Sequence, residues 1–272
     1  MNAQLFLCAC ALALAGCSAE TGSPPTRYGT ILLESNTTAA PTQQATGFFY
    51  RYLSTPVSSK CSVSEAIGTC RIWQCSDYLP ESALETEPVS AGSVSVTGAK
   101  AALTLEEGEP GSYSWDNTLN SPLWDGGETL TVDVGGSDAF PPSATALIAP
   151  NPIRLTAPVV PDGPWQLDSS AALAFGWSGA DNSDVYVAIS VAVPASEGET
   201  NVYFPGVDCA FLGTAGASVV PASVLAKLPK PDGFAGHQVE ALTYANNAVR
   251  VDDALLTFQA TSFALSALAT IE

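Results

Sequence analysis

The sequence predicts an all-β protein made of two antiparallel β-sandwich domains, the second Ig-like. Three observations lead there. Apolar residues alternate with polar ones over short runs, as in half-buried strands. Turn signals recur about every ten residues, the spacing of a sandwich. Helical periodicity is nearly absent in a chain rich in Gly, Pro, Ser and Thr, with 22 Gly and 20 Pro in 272 residues.

The strands follow in order. "TGFFYRYL" (46–53) is aromatic-rich, which suits a pleated surface. "SVSVTG" offers Val94 and Val96, "ALTLEE" offers Leu103 and Leu105, and "TLTVDV" offers Leu130, Val132 and Val134. The turns "EEGEPGS", "WDGGE" and "GGSDAFPPS" separate them. "AALAFGW" alternates Leu173, Phe175 and Trp177. "DVYVAISVAV" places Val185, Val187, Ile189, Val191 and Val193 on one face and reads as a central strand. In "LLTFQATSFALSALATIE", Leu256, Phe258 and Ala260 share one parity while Phe263, Leu265 and Ala267 share the other. One strand cannot point both sets inward without an extra residue, so a β-bulge or bend is expected near Thr261. The only helical signal is "VPASVLAKLP", with Pro221 in the first turn and Pro229 as the stop. Five prolines in "APNPIRLTAPVVPDGP" (149–164) mark a boundary. The domains are therefore expected at 28–149 and 150–272.

The start of the chain is different. Residues 1–16 carry no charged side chain and hold Leu5, Phe6, Leu7, Leu12 and Leu14. The run is too short for a membrane span, which needs about 20 apolar residues. It suits a secretory signal peptide. Leu14-Ala15-Gly16-Cys17 resembles the lipobox of bacterial lipoproteins. That resemblance implies cleavage before Cys17, a diacylglycerol on its thiol, and acylation of the new amine, as by palmitate. The Lys or Arg that usually precedes the apolar run is absent. Ser18 stands where an Asp would favour inner-membrane retention, so the address resembles the outer membrane. Residues 17–27 are then the lipidated cysteine and a small, polar, proline-containing tether.

Charge excludes some partners. The chain has 27 acidic and 9 basic residues, net −18. No basic patch is available to neutralise phosphates, so nucleic acid is not an expected partner. The charge favours solubility and repulsion between crowded copies. Apolar residues at 46% and five Trp set the chain apart from acidic disordered sequences.

Four cysteines remain after the signal and Cys17: Cys61, Cys70, Cys75 and Cys209. Export places them in an oxidising compartment and makes all four disulfide candidates. A local Cys61–Cys75 bridge across a turn near Gly68 is favoured, with Cys70 buried or reaching Cys209. Zinc is disfavoured, because there is no C-x₂-C pair and no His nearby.

Catalytic signals are sparse. His237 is the one histidine, and it reads as a turn or strand-start residue. "GWSGA" is not a G-x-S-x-G elbow, and Ser178 closes a strand. "VGGSDAF" and "DGGET" do not lead into helices, so they are turns and not phosphate cradles. Paired carboxylates of the glycosidase kind cannot be picked out among 27 acids. Asp181, Asn182 and Asp184 crowd one loop and form a calcium candidate, against the plain reading of a turn. Asp252 and Asp253 are a second such pair. Trp115, Trp124 and Trp165 lie beside turns, where they could stack on sugars or cap the core; Trp73 and Trp177 read as core.

The runs "SAGSVSVTG", "LWDGGETLTV", "APNPIRLTAP", "LAFGWSG", "VYVAISV" and "CAFLGTAGASVVPASVLAKLP" follow an order similar to that of a group of two-module all-β lipoproteins of large-genome Gram-negative bacteria. The resemblance implies lipobox, tether and two β modules. It carries no activity and no catalytic residue. The function expected is a lipid-anchored, non-catalytic envelope protein that binds or builds, with a glycan or protein partner at the cell surface. One alternative is a hydrolase of envelope or extracellular polysaccharide. The other is a calcium-stabilised adhesion module.

Overall fold

The computed structural model describes residues 25–36, 43–53, 61–75, 86–115, 121–160, 165–191, 193–194, 202–203, 205–228 and 236–271. Residues 1–16, expected to be a signal segment, Cys17 and most of the expected tether lie outside the described residues, as do the side chains of Cys61 and Cys75.

The protein is all-β. Its strands are β1 (Arg27–Asn36), β2 (Gln43–Tyr52), β3 (Cys61–Ile67), β4 (Cys70–Cys75), β5 (Thr86–Pro88), β6 (Val94–Thr97), β7 (Leu103–Glu107), β8 (Ser112–Trp115), β9 (Thr129–Val134) and β10 (Ser143–Ile148). They continue as β11 (Arg154–Ala157), β12 (Trp165–Leu167), β13 (Leu173–Ser178), β14 (Val185–Val191), β15 (Val193–Pro194), β16 (Val202–Tyr203), β17 (Gly206–Phe211), β18 (Ala217–Val220), β19 (His237–Val251) and β20 (Ala254–Ile271). The predicted helix is a single turn, α1 (Ala222–Leu225), with Pro221 as its N-cap. Pro fits just outside the first turn because its missing N–H would have no helical partner there.

The first sandwich is one sheet folded on itself, in the order β10-β9-β6-β7-β8-β2-β1-β20-β19. The corner lies in β7. Its Leu103–Leu105 half pairs with β6, while Glu106 and Glu107 pair with β8. Val94, Val96, Leu103, Leu105, Leu130 and Val132 then face Ile31, Leu33, Phe49, Leu256 and Phe258 across one core. Phe49 packs edge-on against Tyr113 and Phe140, at 5.3 and 4.9 Å between ring centroids. Gly29 makes room for it: a Cβ there would stand 2.6 Å from the Phe49 ring. On its free side β10 comes back over β19, where Asn247 Nδ2 donates to Thr145 Oγ1 (3.1 Å) and to the Ala146 carbonyl (2.8 Å).

The second sandwich sets β4, β17, β14, β19, the end of β20 and β12 against the three-stranded sheet β11-β13-β18. β14 buries every second residue, as its sequence predicts. Phe175 and Trp177 of β13 face Val185, Val187 and Ile189 of β14, with Val207 and Cys209 of β17 beside them. Cys70 is bonded to Cys209 across the β4–β17 pair. Cys61 and Cys75 are register partners in the β3–β4 hairpin, which turns at Gly68.

Chain order and core membership differ. β4 comes from before the 149/150 boundary, yet Cys70 and Ile72 line the second core. Ala254, Leu256, Phe258 and Ala260 come from after it, yet line the first. Among the described residues, pairing is antiparallel apart from two parallel ladders, β1–β20 and β12–β20. The expected bulge is in β20. Ala241 pairs with Leu265 and Leu242 with Phe263, leaving Ala264 as the extra residue.

The Cys70–Cys209 bond closes a loop of 139 residues. Cys70→Ala with Cys209→Ala is expected to lower unfolding free energy by about 2–5 kcal/mol. Guanidinium titration of the variant against the oxidised protein measures it. Unchanged midpoints would mean that the strand pairing alone holds β4 in place.

Candidate functional site

The two sandwiches share β19 and β20, and where they meet a groove of about 580 Å³ opens. Its walls come from both. Ile148, Ala149, Pro150 and Asn151 follow from β10; Asn182, Ser183 and Asp184 form the loop before β14; Tyr186 stands on β14 and Tyr244 on β19.

Alternation places the two tyrosines. Val185 and Val187 fill the core, so Tyr186 between them points to the opposite, outer face of the sheet. Tyr244 follows the same parity on β19, two residues beyond Leu242, the register partner of Tyr186. Their rings meet at 4.4 Å between centroids, tilted by 46°. Burial, the neighbouring Tyr244 and the Asp184 carboxylate push the Tyr186 hydroxyl up to about 12, while Arg71 pulls it the other way. The phenol therefore stays a neutral hydrogen-bonding group across the physiological range.

The loop before β14 is tied down. Ser183 Oγ accepts from the Asn151 N–H (2.9 Å) and donates to Asn151 Oδ1 (3.3 Å). Thr243 Oγ1 donates to the Asn151 carbonyl (2.7 Å). Asn151 thus pins the end of the first sandwich to the loop and to β19 of the second.

On the same outer face, two strands away, Arg71 donates through Nε and Nη2 to Asp208 Oδ2, at 2.8 and 2.5 Å. Trp73 Nε1 donates to the other carboxylate oxygen, and the Arg71 guanidinium lies 5.7 Å from the Trp73 ring centroid. Trp73 is accordingly half-buried on the outer face and not in the core, a correction to its sequence reading. Cys70 and Ile72 have the core parity, which leaves Arg71 and Trp73 outside. Trp177 is core as predicted, and Trp124 and Trp165 are buried too.

Asp181, Asn182 and Asp184 are all exposed. The structure brings Asn182 and Asp184 to one lining and Asp181 to the adjoining dent beside Leu212 and Gly213. Among the described residues no group of three or more His, Cys, Asp or Glu side chains gathers to hold a metal ion. Asp253 belongs to a structural clamp: its Oδ2 accepts from Thr26 Oγ1 (2.6 Å) and lies 3.3 Å from Arg27 Nε. His237 opens β19 and is buried. Ser178 closes β13, exposed.

Sequence reasoning passed over Tyr186, Tyr244 and Asn151. A signal existed for the first: a Tyr between two core valines must face outward. Asn151 looked like part of a linker, and only tertiary packing sets it against Ser183 and Thr243.

Comparison with known protein families and with characterised protein sequences finds no match. Among solved structures, the FN1–FN3 domains of chicken CNTN1 align with 78% of this chain at 12% identity and a TM-score of 0.18, and this chain spans 66% of that one's length. A score so low says nothing about function.

The outer face also carries Glu240, buried between outward Gln238 and Leu242, with Oε1 lacking a hydrogen-bond partner among the described residues. Burial pushes its carboxyl up to about 7, helped by Glu34 and opposed by Gln238. Burial raises Glu34 as well. A carboxyl whose folded pKa lies above its unfolded value binds its proton more tightly when folded. Stability from this group is therefore greatest at low pH and falls as pH rises from about 4.5 through about 7. The full loss for Glu240 is about 3 kcal/mol. Thermal melts should drop between pH 5 and pH 8 in the native protein, and Glu240→Gln should flatten most of that slope. An equal slope in the variant would place the titration elsewhere.

Proposed function

We propose that this chain is a lipid-anchored protein of the cell envelope, addressed to the outer membrane, with a non-catalytic binding role. Cys17 carries the lipid, and the second sandwich is presented away from the membrane. Two or three acyl chains anchor a protein durably, since each buried methylene contributes about 0.8 kcal/mol.

The run Leu14-Ala15-Gly16-Cys17 carries the anchor, and where the chain enters the fold supports the orientation. Thr26 and Arg27 are clamped to the turn of the β19–β20 hairpin: both N–H groups donate to the Asp253 carbonyl, at 2.8 and 3.2 Å. Only the short segment 18–25 separates that clamp from Cys17. Eight residues reach roughly 30 Å at full extension. The turn end of the hairpin is thereby held near the lipid. β20 runs 18 residues from that turn, roughly 60 Å at strand spacing. Its far end lies in the second sandwich, so that sandwich and the groove stand outward. The net charge of −18 supports spacing between neighbouring copies.

Fractionation tests the anchor. The native protein should partition with the outer membrane and enter the detergent phase. Cys17→Ala should shift it out of that phase without changing its melting temperature. A variant that partitions as the native protein does would overturn the lipid reading.

A further inference from the structure

We infer that the groove between the sandwiches binds a neutral glycan, with a sugar ring seated on Tyr186 and Tyr244 and its hydroxyls held by Asp184, Asn182 and Asn151. This deepens the binding role proposed above by giving it a site and a ligand class.

The chemistry of the lining selects the ligand. The negative face of an aromatic ring attracts weakly positive C–H groups. One face of a pyranose is a patch of C–H groups rimmed by hydroxyls. Tyr186 and Tyr244 pack together at 4.4 Å between centroids, tilted by 46°, and both are half-exposed, so the pair offers the groove aromatic C–H and ring surface from two residues. In the same lining, Asp184 offers acceptor oxygens, while Asn182 is a carboxamide that both donates and accepts. Hydroxyls can satisfy both kinds of group. A flat apolar ligand would leave them unpaired at a cost.

Charge narrows the class further. Asp184 stands exposed at the groove's rim and Asp181 in the dent beside it, in a chain whose net charge is −18. Phosphorylated, sulfated and uronic acid ligands would be repelled at that rim. The groove's volume of about 580 Å³ falls within the range of small-ligand sites. The hydrogen bonds of Asn151 to Ser183, and of Thr243 to Asn151, hold both walls before any ligand arrives. Preorganised walls spend less binding energy on ordering.

The test does not depend on the anchor. The protein is purified as the cell makes it, from whichever fraction carries it, and titrated by calorimetry with cellohexaose, maltohexaose, laminarihexaose, xylohexaose and chitohexaose. At least one of them should bind saturably below millimolar concentration. Tyr244→Ala should weaken that binding about tenfold or more, and Tyr244→Phe, which keeps the ring, by less than about threefold. Asn182→Ala, on an exposed loop, should weaken it severalfold with an unchanged melt, so the site stays testable if Tyr244→Ala does not fold. Binding to none of the five overturns the proposal. So does a folded Tyr244→Ala or Asn182→Ala protein that binds as the native one does, or tighter binding of polygalacturonate than of every neutral oligosaccharide.

Discussion

Both sandwiches depend on one hairpin. β19 and β20 pair from His237 and Ala269 at one end to Val251 and Ala254 at the other. The turn half lines the first core through Ala254, Leu256, Phe258 and Ala260, and the other half lines the second through Leu265, Ala269 and Ile271. These two sets have opposite parity. In an unbroken strand they would lie on opposite faces of the sheet. The extra residue at Ala264 reverses the phase, so one strand presents two apolar stripes to the same side. β19 needs no such device, since Val239 and Ala241 already share parity with Ala245 and Val249.

Between the stripes the hairpin turns polar. Ser262 and Thr243 are fully buried register partners, and Ser35 and Gln43 are buried on the neighbouring strands. Ser35 Oγ accepts from the Leu123 N–H, and Thr243 donates to Asn151. A polar layer interrupts what would otherwise be one long core. It marks where the first sandwich stops and the second begins: Ser35 and Thr243 make directional bonds there, while Ser262 Oγ and Gln43 Oε1 are buried without a hydrogen-bond partner among the described residues. The groove opens beside this layer, and Asn151 belongs to both.

The outer face of the shared sheet follows from the same alternation. Every residue that fills a core leaves a neighbour pointing outward. That rule sets Tyr186 and Tyr244 side by side, places Arg71, Trp73 and Asp208 in one network, and sends Glu240 away from Val239 and Ala241. Chemistry and packing thus share the same strands, on opposite faces.

Period and punctuation were legible in the sequence. The alternation of 185–191 became β14, the turn at Gly68 became the β3–β4 hairpin, and the phase reversal near Thr261 became the bulge at Ala264. These are local properties, since strand parity and turn conformation depend on near neighbours along the chain. Partnership was not legible. Nothing in the order of residues says that β1 pairs in parallel with β20, that β4 crosses to the second core, or that Cys70 meets Cys209 across 139 residues. Nor could a linker asparagine and two tyrosines 58 residues apart be seen as one groove. Such contacts follow from how whole apolar faces are buried together. That is a sum over the folded chain, and only the tertiary structure carries it.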